Sequence, residues 1–445
     1  MIRRRLALAL CLALTFLPLL NSPTALSAPT IPSEFQFTGS GYGHGVGMSQ
    51  IGARGQALEG KTAFDILRYY YPGTDVTPFP DTALIRVNIA NLISNVTLTV
   101  PAKKGVIQLY RGDIPATETP EPYGIYQGDI TALFTNFAGS VVPTLSSPTA
   151  KFSAFPPASA WTLRWDSGTV LALNTGTTTN SLYKYGQIVV KSIATNISSY
   201  LAVTTTLRLH DEYLYGIGEV PSSWPPAALD AQVIASRTFA MTKLAKIRKE
   251  CDCNIYNTIA DQNFVGYSKE IEPIYGARWK DAVNRTFVDS STALTITNNG
   301  LPINAFFFSS SAGTTQNIKD VWGSQFSYLV NIPDPWSKDA LLNPRYASWV
   351  RVIPQALMAQ AFNLPDVLSY SIDSRTVTNS VARISAVSST GKKVTITGEI
   401  FRGIVKLPST WFDDAKTLVP PNPTVSPSID ICAATPIFRM KFCVA

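Results

Sequence analysis

Between Gly39 and Gly55 the chain reads GSGYGHGVGMSQIGARG, with Gly39, Gly41, Gly43, Gly45 and Gly47 at every second position. Glycine gives up more backbone entropy than any other residue on ordering, and it brings no side chain to pack. Strict alternation therefore makes sense only where something must approach the backbone closely. On an extended strand the five glycines share one bare face, and Ser40, Tyr42, His44, Val46 and Met48 share the other. The expectation is a strand whose glycine face, with Gly41, Gly43 and Gly45 as structural positions, forms a close-packed floor.

The chain opens MIRRRLALALCLALTFLPLL, three arginines before an apolar run, followed by the small residues of SPTALSAPT. This is the plan of a secretory signal peptide over 1–27, cut after Ser27. A membrane anchor is the alternative, but Pro18 interrupts the run and it is short for a span. No long uncharged apolar run follows, so no membrane span is expected after signal removal. Loss of Arg3, Arg4 and Arg5 takes the formal charge from +7 to +4. That mild, dispersed excess suits a polyanionic wall, and it comes with no dense basic block and no nucleic-acid motif. Four cysteines remain: Cys251, Cys253, Cys432 and Cys443. An even number in an exported chain reads as disulfides, with three possible pairings. The two histidines, His44 and His210, lie far from the C-x-C, so no metal and no cofactor is expected.

After the glycines, MSQIGARGQALEG reads as a helix weakened by Gly52 and Gly55. Thr62 with Asp65 forms a capping-box start for a second helix, stopped by Pro72-Gly73. Over 81–205, short segments rich in β-branched residues alternate with turn residues, as in ALIRVNIA, QIVVKSI and LAVTTTLRL. They predict an all-β region. A helical piece from Asp211 to about Gly218 follows. Then comes a long helix to about Lys249, with Ser223 as its cap and Pro225 and Pro226 in its first turn. Ile303–Phe308 reads as a strand and Ser309–Thr315 as a small-residue loop. The tail 416–445 is proline-rich before its cysteine pair.

Glu219 stands among apolar and aromatic sequence neighbours: Tyr213, Leu214, Tyr215, Ile217, Val220 and Trp224. Such surroundings disfavour a charged carboxyl and raise its pKa, as a general acid requires near neutral pH. An exposed glutamate at a helix end is the alternative.

Three blocks, EVPSSWPPAALDAQVIASRTFA, PINAFFFSSSAGTTQNIKDVWGSQFSYL and GYGHGVGMSQIGARGQALEGKTAFDILRYYYPGT, resemble the signatures of the SpoIID/LytB domain. The resemblance extends over roughly Tyr183–Phe412 plus Phe35–Thr74. It implies an α+β fold: a mixed α/β catalytic domain made of 34–76 and 206–415, with the all-β region inserted between. It also implies a secreted, sporulation-related cell-wall protein that acts on peptidoglycan. The sporulation members are lytic transglycosylases that cut glycan strands lacking stem peptides, and their catalytic acid falls on Glu219. One acid suffices, because the nucleophile is the sugar's own 6-hydroxyl rather than a second carboxylate or water. The competing reading is a non-catalytic, wall-binding enhancer of an N-acetylmuramoyl-L-alanine amidase. A weaker third is a structural wall protein that binds through its β region.

Most members carry the glycine–histidine block last. Here it comes first, as in a circular permutation, so the strand from Phe35 is expected beside Leu407–Phe412. Zinc-binding members have Cys and His where this chain reads CDCNIYNTIADQNFVGY, which lacks histidine. His44, Gln50, Ser309, Ser310 and Ser311 are candidates to hydrogen-bond sugar hydroxyls or N-acetyl groups. The plainer alternative for His44 is a satisfied core histidine. Gln232 is a candidate donor behind the acid, and Arg237 a structural cation paired with an acid beneath the site. Trp224, Trp322 and Tyr328 are either sugar platforms or core.

Overall fold

The computed structural model describes residues 30–100, 105–152, 155–176 and 181–414. The signal segment 1–27, the tail 416–445, Cys432 and Cys443 lie outside the described residues.

The glycine run is not a strand. The N-terminal strand Glu34–Gly39 ends where the alternation begins. Gly41, Gly43, Gly45 and Gly47 then have φ of +81°, +110°, +82° and +80°. Repeated left-handed residues curl the chain, and only glycine takes them without strain. The close approach is real, but its partner is protein backbone. A Cβ on Gly41 would lie 2.8 Å from the Ser310 carbonyl oxygen, and one on Gly47 1.9 Å from that of Phe306. The run wraps the segment 306–311, with Tyr42 and Ser310 exchanging backbone hydrogen bonds of 2.8 and 3.1 Å.

Helix α1, Gln50–Leu58, starts at Ser49, whose hydroxyl accepts from the Gly52 N–H at 3.1 Å. Helix α2, Ala63–Tyr70, begins with the Thr62/Asp65 capping box. Helix α3, Pro226–Met241, is buried along most of its length and packs against both. It ends eight residues before Lys249, and its N-cap is Pro225 rather than Ser223. Pro226, its first residue, lacks an N–H that a helix start leaves unbonded anyway. Helix α4, Gly276–Arg285, closes the other side of α3.

The β-rich region forms a seven-stranded and a five-stranded sheet. Val96, Leu98 and Phe134 of the smaller sheet share one apolar core with Ile107, Trp161 and Val190 of the larger. That core continues into Tyr213, Leu229, Val233 and Trp279 of the helical part. The strand Ser199–Arg208 crosses position 205, and Ile255–Tyr256 adds a parallel strand at the sheet edge. The β-rich region therefore meets the helical part through continuous strands and a common core. The piece after it is a five-residue π-helix, Leu209–Tyr213, and the strand in 303–308 shrinks to Phe307–Phe308.

Cys251 and Cys253 are joined by a disulfide. Asp252 between them is left-handed, and its carboxylate meets Arg86 and Lys191, which also share Asp113. The C-x-C turn is thus tied by charge to the β-rich region.

The two ends of the described chain meet. Glu34–Gly39 pairs antiparallel with Trp349–Pro354 on one side and Phe412–Asp414 on the other. Phe37, Phe401 and Phe412 pack edge to face beneath this sheet. The strand from Phe35 was expected beside Leu407–Phe412; it pairs with Phe412–Asp414, so the two meet at Phe412 and the partner strand runs past the expected segment.

Candidate active site

Glu219 lies in a bend beyond the π-helix, two residues after the Ile217–Phe264 bridge. Its flanking glycines allow close packing: a Cβ on Gly216 would fall 2.3 Å from the Phe264 ring. Asn263 clamps the segment three times. Its backbone N–H donates to Glu219 Oε1 at 2.6 Å, its side-chain amide donates to the Gly218 carbonyl at 2.8 Å, and its own carbonyl accepts from Gly218 N–H.

The loop that follows is equally fixed. Buried Lys269 donates to the Val220 carbonyl at 2.8 Å, Ser222 bonds Glu272, and Arg278 donates to the Trp224 carbonyl at 3.1 Å. Two cations reaching in to loop carbonyls, and a loop hydroxyl reaching out to a carboxylate, leave the backbone little freedom.

The glutamines come together behind the acid. Gln50 hydrogen-bonds Glu219. Its Nε2 also donates to Gln232 Oε1 at 3.3 Å, and Gln232 Nε2 donates to Ser236 Oγ at 3.1 Å. Both glutamines are buried, so they orient Glu219 from behind. Burial raises the Glu219 pKa above the ordinary carboxyl value, and the Asn263 N–H and the Gln50 amide oppose this. Burial is the larger effect, so the protonated form persists to higher pH than in an exposed glutamate.

The other candidates sit elsewhere. His44 Nδ1 accepts from the Val46 N–H at 3.1 Å, and the ring also bonds the Phe307 backbone. Its ring packs against Trp322, Phe308 and Phe306. Burial, then the nearby Arg402, pulls its pKa down to about 3, so it is a neutral, internally bonded imidazole at any working pH.

Ser310 and Ser311 are fully buried, which removes them from contact with a sugar. Ser311 Oγ donates to Asp334 at 2.7 Å. Tyr70 and Ser337 also donate to Asp334, and Ser337 bonds Ser49. This buried network staples the glycine block to the 309–311 loop. Ser309 stays half-buried, with its carbonyl accepting from Ile51 N–H.

Arg237 is buried, as a structural cation should be, and its Nε lies 2.9 Å from Asp81 Oδ2. Burial lowers its pKa to about 10, which leaves it charged at neutral pH. Asp81 also bonds His210 Nδ1 at 2.6 Å. Trp322 is exposed, while Tyr328 is buried.

Sequence reading missed Asn263, Lys269, Asp81 and Asp334. Each acts across tens to hundreds of positions, and none carries a local signal beyond lying in or near a signature block.

The profile described as "Stage II sporulation protein" matches residues 199–289, the stretch that carries Glu219, Gln232, Asn263 and Lys269. The chain is 31% identical over 143 residues to Stage II sporulation protein D of Bacillus subtilis (strain 168), covering 31% of this chain and 40% of that one. It is 29% identical over 164 residues to the protein of that name from Bacillus amyloliquefaciens, covering 35% and 43%. It is 49% identical over 47 residues to the Amidase enhancer of Bacillus subtilis (strain 168), covering 11% and 7%. The matches span less than half the length of these relatives. No solved structure matches the chain.

Proposed function

Through residues 199–289 the chain belongs to the SpoIID/LytB family, and on that premise we propose that it is an exported lytic transglycosylase of peptidoglycan glycan strands, with Glu219 as acid and then base. The observation that carries the proposal is a carboxyl whose pKa burial raises and which the Asn263 clamp and the Gln50–Gln232 pair fix in place. Protonated Glu219 gives its proton to the glycosidic oxygen as the bond to the anomeric carbon breaks. The 6-hydroxyl of the same sugar attacks that carbon and loses its proton to the Glu219 carboxylate. An anhydro end forms, the acid is regenerated, and no water is consumed. One well-placed group whose pKa is tuned upward serves both steps.

The 47-residue similarity to an amidase enhancer supports a second reading, in which the chain binds the wall and assists an amidase without cutting glycan. The test incubates the purified protein and its Glu219→Gln variant with peptide-free glycan strands and analyses the products by mass spectrometry. Anhydro-ended fragments from the wild type alone are expected. Intact strands that still co-sediment with both proteins would replace catalysis with the enhancer reading.

A further inference from the structure

Arg54 lies on the same helix as Gln50, four residues on and hence on the same face one turn away. Gln50 bonds Glu219, so Arg54 lies one turn of α1 from the residue that touches the acid. Its guanidinium lies 5.7 Å from the centroid of the Trp224 ring, and one nitrogen donates to the Leu342 carbonyl at 3.2 Å. Both Arg54 and Trp224 are half-buried. Trp224 is itself held through its backbone by Arg278 and by the turn from Pro221.

Among the described residues no carboxylate pairs with Arg54. The other cations around this loop are committed: Lys269 to Glu272 and the Val220 carbonyl, and Arg278 to the Ser223 and Trp224 carbonyls. A guanidinium stacked near an indole, fixed at one nitrogen with its remaining N–H groups unspent, is a preorganised receptor for a planar anion.

We propose that Arg54 is a specificity-determining residue that binds a free carboxylate on the sugar seated beside Trp224, and so selects glycan whose muramoyl lactyl groups carry no peptide. This rests on the reading of Glu219 as the glycan-cleaving acid only for where the substrate lies. A lactyl group with a free carboxylate is an anion that can take two parallel N–H bonds from Arg54. Once joined to a peptide it is a neutral amide, and Arg54 would face it with no counter-charge. A buried or half-buried cation left without its anion discriminates more strongly than a missing apolar contact.

The test measures binding in the Glu219→Gln background, so that turnover plays no part. Peptide-free strands are titrated alongside the same strands with their carboxylates converted to primary amides. Arg54→Ala and Arg54→Gln are compared; the glutamine retains a donor for the Leu342 carbonyl, so a fold defect is separated from loss of charge. Free-carboxylate strands should bind the parent about ten- to a hundred-fold more tightly than amidated ones. Both Arg54 variants should lose that preference. Equal affinity of the parent for both strand types overturns the proposal, as does an equal loss on both in the variants. Cleavage assays on the Glu219 form run separately, so failure of catalysis and failure of the Arg54 assignment are distinguishable.

Discussion

Replacing Gly47 by alanine tests whether the glycine alternation exists for backbone contact. Gly47 has φ of +80°, and an added Cβ would lie 1.9 Å from the Phe306 carbonyl oxygen and 2.8 Å from its carbon. The left-handed conformation alone costs an alanine about 1–2 kcal/mol. The clash must also be relieved by moving the Phe306 carbonyl. That oxygen accepts from the Met48 N–H at 3.0 Å and from the buried Tyr71 hydroxyl at 2.6 Å. A buried donor left unpaired costs about 1–3 kcal/mol, so moving this acceptor endangers two of them. With both donors unpaired the expected loss is roughly 3–8 kcal/mol, the sum of the backbone and hydrogen-bond costs. Gly60 is the control: its φ is +85°, but nothing lies within 4 Å of its added Cβ. Gly60→Ala should lose only the backbone share, about 1–2 kcal/mol. Urea unfolding followed by circular dichroism gives both values. A Gly47→Ala loss no larger than that of Gly60→Ala would refute the close-approach reasoning.

Two further outcomes follow from buried charge. Burial raises the Glu219 pKa, so its contribution to stability is present at low pH and declines as pH rises through the raised value. Glu219→Gln should match the wild type in acid and be the more stable of the two under alkaline conditions; thermal unfolding at several pH values checks this, and a variant that is less stable in alkali contradicts it. Asp81→Ala should cost about 3–5 kcal/mol, because it leaves Arg237 charged and buried without its partner. Denaturant midpoints measure this, and a loss under 1 kcal/mol would mean the guanidinium has found another acceptor.

What could be read from the sequence was local, or repeated in a signature block. The Thr62/Asp65 cap spans three residues and was visible as such. Gln50 and Gln232 were both singled out, and the structure joins them to each other, with Gln50 against Glu219 and Gln232 behind it. The glycine period was plain, but period two fits both an extended strand and alternating left-handed turns. Only the sign of φ separates them, and glycine permits either. Ser311 looked like a donor for a ligand because its hydroxyl's partner, Asp334, lies 23 positions away. The Asn263 clamp on Glu219 spans 44 positions. No residue type or spacing encodes such pairings until the fold has brought the segments together.

The position of Glu34–Gly39 also governs when the protein can finish folding. This strand occupies the middle of its sheet, and Gly39 pairs with Phe412, 373 positions later. It precedes every other described strand, and its two edges stay unpaired until residues 349–354 and then 412–414 have been made. The entropy of closing so long a loop grows only slowly with its length, but pairing must still await the last strand. Such distant pairing belongs to slow folding. The sheet is therefore a late event, and a chain truncated before residue 412 would leave its first strand exposed along one edge, open to pairing with another molecule.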